Sequence, residues 1–150
     1  MIRVPTPADC AAHLGETIVG AEAVTISGRE IDAFTKISGD RQWIHGPGAE
    51  RRIVPGNFLI ALLPRMIQSC LVAETFTRCL TVKYAAIRFR HPVSEGAAIG
   101  ISIRVMEVRN RAAGTFVTLD VRLADQASGN ECLNATVTDY YETEAAPDAG

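Results

Sequence analysis

Charge of one sign is not in excess: 15 Lys and Arg stand against 17 Asp and Glu, for a net charge of -2. A general nucleic-acid binder needs a basic surface to meet phosphates, so that class is excluded. Long apolar runs are also missing. The longest, Phe58 to Leu63, stops at Pro64 and Arg65 and is too short to span a bilayer. Cysteine is sparse. Cys10, Cys70, Cys79 and Cys132 form no CxxC pair, and no histidine lies near them at zinc-ligand spacing. No metal site is expected, and the four read as small buried hydrophobes or inert thiols. Met1 to Ala12 holds one basic residue, two prolines and an aspartate, with no apolar stretch after them. That is no secretory signal, and a cytoplasmic location is the expectation.

What the chain does have is an ordinary share of apolar (47%) and charged (21%) residues in 150 positions. One domain over 1–150 with a real core is expected, and disorder is excluded for most of it. Residues 1–15 lack pattern and read as a loosely packed arm. Thr17 to Ile26 reads as a first strand. Ser27 with Glu30 three residues later is a capping box, so a helix starts there. Ile31, Phe34 and Ile37 give it one apolar stripe, and Ser38-Gly39-Asp40 ends it. Residues 40–56 are rich in glycine and proline and read as loop. Residues 57–72 carry two apolar rows at i,i+4, the mark of a buried helix, with Pro64 predicted to kink or split it.

After residue 78 the texture becomes that of strands: Leu80 to Arg90, Ala98 to Arg109, Thr115 to Ala124 and Glu131 to Glu142, separated by turn signals. Val117, Leu119, Val121 and Leu123 alternate as in a half-buried antiparallel strand. The apolar parity flips between Tyr84 and Ile87, which predicts a bulge at Ala85-Ala86. The tail, 143–150, is small and acidic and is expected to be loosely ordered. One helix and one sheet must bury each other, so the fold class is α+β, with a curved antiparallel sheet around a long central helix.

Two features carry chemistry. Asp40 and His45 lie on one short segment at a helix end, where a carboxylate and an imidazole can share a water or a substrate proton. On spacing alone, a turn-forming aspartate and a solvated histidine are the competing reading. The second feature is Val54-Pro55-Gly56-Asn57 before the buried helix. Free N–H groups at a helix start suit an oxygen that gains negative charge, and glycine lets it approach. An ordinary helix start with Asn57 as the cap is the competing reading there. A short loop joins the two features, so both can face one pocket.

Ser38-Gly39-Asp40-Arg41-Gln42-Trp43-Ile44-His45 resembles the Asp-x4-His signature of the MaoC-like (R)-specific enoyl-CoA hydratases and dehydratases. Gly56 to Pro64 resembles that family's central helix, and Ile87 to Val93 followed by Gly96 resembles its strand-end motif. The resemblance covers roughly Glu16 to Glu142. It implies a hot-dog fold, a homodimer, and reversible hydration of a trans-2-enoyl thioester to a 3-hydroxyacyl thioester. By position, Asp40 and His45 handle the water, and the N–H at Gly56, with Asn57 beside it, holds the thioester oxygen. No metal or redox cofactor is implied; CoA or an acyl carrier protein belongs to the substrate. The chain departs from the family in two places. Pro55 stands where a histidine usually precedes the glycine, and only ten residues separate His45 from Gly56, fewer than the family has there.

Around that site, Trp43, Val54, Pro55 and Phe58 are expected at the substrate pocket, Trp43 with a loop-packing role as its alternative. Arg51, Arg52 and Arg88 are candidates for CoA phosphates, against a solvated pair or an edge salt bridge. His13 and His91 show no partner. Asp139 is expected to be exposed or at a dimer interface. The alternatives to a fatty enoyl-thioester lyase are a dehydratase of a polyketide-like intermediate, a hot-dog thioesterase, and a non-catalytic acyl-thioester-binding subunit.

Overall fold

The computed structural model describes residues 1–143; the expectation for the tail beyond them lies outside the described residues. The chain runs β1 (Ile2–Val4), a 3-10 turn (Pro7–His13), β2 (Thr17–Val19), β3 (Val24–Thr25), α1 (Gly28–Ser38), a 3-10 turn (Trp43–His45) and α2 (Gly56–Gln68). It continues with β4 (Leu71–Ala73), β5 (Arg78–Phe89), β6 (Ala98–Arg111), β7 (Gly114–Asp125) and β8 (Glu131–Glu142).

The main sheet is antiparallel in the order β2-β6-β7-β8-β5, with β3 also on β6. The alternation along β6, β7 and β8 aligns across the strands. Ile101, Leu123 and Leu133 form one inner row, Ile103, Val121 and Ala135 the next, and Val105, Leu119 and Val137 a third. All are buried, and they share one core with Leu59, Leu63, Met66 and Ile67 of α2. The fold is therefore α+β, a helix laid on one face of an antiparallel sheet. No helix among the described residues is long and apolar enough to cross a membrane.

Local signals formed as read at α1 and β5. Ser27 and Glu30 close the capping box, and Gly39 ends α1 in the left-handed region at φ 74°. The β5 register shifts between Ala85 and Arg88, with Ala86 at φ 49°.

Several expectations are corrected. The arm is ordered: β1 pairs in parallel with β4, and Val4 and Cys10 are buried in the core. Thr17 to Ile26 is two short strands, because the chain leaves the sheet after Gly20, where a Cβ would run into Ile101 and Ser69. Ile37 is 86% exposed and leaves the α1 stripe, since α1 ends there with nothing packed on that turn. The helix expected over 57–72 ends at Gln68, and Leu71 goes to the parallel pair with β1. Pro64 stays inside an unbroken helix, on its exposed side. Asp139 is neither exposed nor on an outer face. It is 8% exposed, on the inner face opposite Val117 and Thr81, and the Thr81 hydroxyl donates to it at 2.7 Å.

Candidate active site

Asp40 follows the left-handed turn that closes α1, and its carboxylate accepts the Gln42 N–H at 3.2 Å. This Asx-type turn aims the side chain back over the 3-10 turn that carries His45. His45 is buried, with Nε2 3.5 Å from Asp40 Oδ2. Its Nδ1 lies 2.6 Å from the Ile53 carbonyl oxygen. A carbonyl only accepts, so Nδ1 carries a proton and Nε2, toward Asp40, is the nitrogen that gains or loses one. The Ile53 N–H returns a bond to the Ile44 carbonyl at 2.9 Å, so the loop after His45 is clamped to the turn before it.

The loop delivers the chain to Pro55, the N-cap of α2. The cap makes no side-chain bond, and its carbonyl accepts from Phe58 at 2.9 Å. Asn57 is thus the second helical residue and not the cap. Among the described residues the N–H groups of Gly56 and Asn57 meet no acceptor. They are two of the orphan donors at a helix start, where the dipole favours negative charge. A Cβ at Gly56 would sit 2.7 Å from the Phe89 ring, so the close approach of β5 to this helix start requires glycine.

A cavity of about 340 Å³ brings these pieces together. Asp40, His45, Val54, Gly56 and Asn57 line it, five of the residues expected there. The far wall is Phe89, Arg90, His91, Pro92 and Val93, with Cys132 and Leu59 at the base. The reading of the sequence gave no role to Arg90 or His91, although both lie in the Ile87 to Val93 motif. Only the placement of β5 beside α2 turns that segment into a wall. His91 Nδ1 is 3.0 Å from the Glu131 carbonyl, and Arg90 Nε is 3.7 Å from the Glu131 carboxylate.

The remaining expected residues are elsewhere. Trp43 is 77% exposed and neither lines this cavity nor packs the loop; it edges a second cavity on the outer side of Asp40 and His45, with Lys36 and Arg41. Phe58 stacks on Phe34 at 4.7 Å and joins α2 to α1 instead of lining the cavity. Pro55 is buried and does not line the cavity. Arg51 is exposed and away from the cavity. Arg88 pairs with Asn134, and by strand alternation it is on the other face of the sheet from Phe89. Arg52 is not a solvated cation: it is 8% exposed and already bonded to protein groups. Among the described residues no three His, Cys, Asp or Glu side chains gather as metal ligands would.

No family model matches the chain. A 3-hydroxyacyl-thioester dehydratase Z of Mycobacterium tuberculosis is 29% identical over 116 residues, which is 72% of this chain and 76% of the relative. Among solved structures, the (R)-hydratase from A. caviae involved in PHA biosynthesis superposes with TM-score 0.62 at 18% identity, covering 84% of this chain and 94% of that one. The MaoC-like dehydratase from Rhodospirillum rubrum superposes with TM-score 0.63 at 12% identity, covering 89% and 94%. These superpositions establish the hot-dog fold. The related sequence supports the resemblance to the MaoC-like hydratases and dehydratases.

Proposed function

We propose that the protein is a lyase that adds water to a trans-2-enoyl thioester, or removes it from the 3-hydroxyacyl thioester. The observation that carries this is the Asp40–His45 pair, 3.5 Å apart, in the wall of the same cavity as the free N–H groups of Gly56 and Asn57. The likeness to a 3-hydroxyacyl-thioester dehydratase supports the same reaction class.

In hydration, water oxygen bonds to C3, electrons of the double bond move toward the thioester carbonyl, and C2 takes a proton. The helix-start N–H groups hold the carbonyl oxygen as it becomes enolate-like. Of Asp40 and His45, one takes the proton that water loses and the other supplies C2. Their separation lets the proton pass back through a single bridging water or a small side-chain rotation. The reaction is redox neutral: the proton lost by water and the proton gained by C2 are both carried by this pair. Arg90, at the cavity wall, is better placed than Arg51 or Arg88 to meet the negative charge of a CoA or carrier-protein arm.

The working unit in this reading is a homodimer. Among the described residues, β5 ends the sheet with its outer edge unpaired and exposes Leu80, Val82, Tyr84 and Phe89. Such an edge invites antiparallel pairing with a second copy. Two-fold pairing about the middle of β5 would bring the Phe89 end of one strand, at the cavity mouth, beside the opposite end of the other. Four free thiols support a reducing compartment such as the cytoplasm.

The test is loss of the conjugated enoyl absorbance over a panel of trans-2-enoyl-CoA thioesters, with Asp40→Asn and His45→Gln alongside. The wild type is expected to turn over, and each variant to lose about a hundredfold or more. Release of free CoA thiol would indicate a thioesterase instead. A folded dimer that acts on no chain length would point to a polyketide-like carrier-bound substrate or a non-catalytic binding subunit.

A further inference from the structure

Arg52 is charged, 8% exposed, and outside the cavity. Its Nε donates to the His45 carbonyl oxygen at 2.7 Å, and one terminal nitrogen is bonded to the Asp32 carboxylate on α1. The other lies against Gly28 and Glu95, in the space left by the missing Cβ at the start of α1. Its own carbonyl is tied to the Glu95 N–H at 2.9 Å. A guanidinium is a rigid planar fork, so these bonds fix a distance and an angle between α1 and the His45 backbone.

The rest of the segment is held by backbone bonds: the Gly46 N–H donates to the Trp43 carbonyl, that of Ala49 to Gly46, and that of Ile53 to Ile44. Gly46, Pro47 and Gly48 follow His45 directly, with no helix or strand before the bridge at Ile53. Yet the imidazole is held at both nitrogens, and both contacts depend on where the His45 backbone sits relative to Ile53 and to Asp40 at the end of α1. Arg52 is the side chain that spans from α1 to that backbone.

We propose that Arg52, braced on Asp32, is the positioning residue of His45: it sets the imidazole against Ile53 and Asp40 by tying the His45 carbonyl to α1. The inference rests on the reading of Asp40 and His45 as the reacting pair, and the experiment separates the two.

The experiment is proton and nitrogen NMR of the imidazole groups in the full chain, with hydration kinetics beside it. The hydrogen-bonded Nδ1–H of His45 is assigned by its loss in His45→Gln. Arg52→Gln, Arg52→Lys and Asp32→Asn are then compared at equal foldedness by circular dichroism. Arg52→Gln and Arg52→Lys are expected to lose or exchange-broaden this resonance, because a lysine cannot bridge both partners. Their kcat should fall about ten- to a hundredfold, with KM little changed, as a displaced reacting group requires. Asp32→Asn, on a half-exposed carboxylate, should give a smaller change in the same direction and serves if the Arg52 variants do not fold. An unchanged His45 resonance in the folded variants, with kcat within about twofold of wild type, would overturn the proposal and leave Arg52 a purely structural ion pair. A resonance lost on schedule in a protein that hydrates no enoyl thioester would uphold the positioning role and sink the functional reading.

Discussion

Asp139 carries the clearest conflict between a residue and its surroundings. Its carboxyl sits on the inner sheet face with one hydroxyl, Thr81, as hydrogen-bond donor. Burial raises its pKa above 3.8, and the Thr81 bond offsets only part of that rise. The folded chain therefore holds this proton more tightly than the unfolded chain. Stability from this group is present below 3.8, falls as pH rises toward the raised folded value, and stays lower above it. Asp139→Asn keeps the shape and removes the charge. Thermal melts across pH should show the variant more stable than wild type near neutrality, with the difference vanishing as pH falls below the window. A variant less stable at every pH would mean that the carboxylate has a partner that amide nitrogen cannot replace. Asp40 and His45 were legible at this scale because their spacing is local. The burial of Asp139 and Arg52 was not, since it depends on what other segments place over them.

Among the elements, α2 depends on packing more than on propensity. Pro64 lies inside it and lacks the N–H that would bond back to Ile60. Burial of Leu63, Met66 and Ile67 against the sheet outweighs that loss. Pro64 is itself exposed, so Pro64→Ala should restore a helical bond without disturbing the core. The expected gain is about 1–3 kcal/mol, read as a rise in Tm of a few degrees. A fall in Tm would show that the proline itself helps to seat Leu63 and Ile67. The long strands were legible because alternation on β6, β7 and β8 is clean. The bulge at Ala86 was legible as a parity flip, but a second register shift, between Thr81 and Lys83, was not. Leu80, Val82 and Tyr84 alternate with Thr81 and Lys83 straight through it, so the pattern shows no parity break to announce the shift. The pairing of β1 with β4 was also hidden: three residues have too little pattern to announce a partner far along the chain.

For the whole molecule, the unpaired edge of β5 is the feature that a single chain leaves unresolved. Leu80 and Val82 are exposed near its middle. Leu80→Lys with Val82→Lys should block an edge-to-edge dimer, converting it to monomer in sedimentation or size-exclusion measurements, with a lower Tm and weaker turnover. A wild type that is monomeric at micromolar concentration would remove the dimer from the proposed function. The sequence by itself determined the local devices: the capping box at Ser27, the left-handed stop at Gly39, the Asp40 to His45 spacing, the glycine that opens α2 and the alternation of the long strands. Each depends on dihedral preference or periodicity within a few residues, which the chain carries wherever it goes. The tertiary structure alone decided that Phe89 to Val93 wall the cavity, that Trp43 faces outward, that Arg52 braces His45 and that Asp139 is buried. Those outcomes depend on which distant segments meet, and that is set by the register of the sheet and the seat of α2 on it.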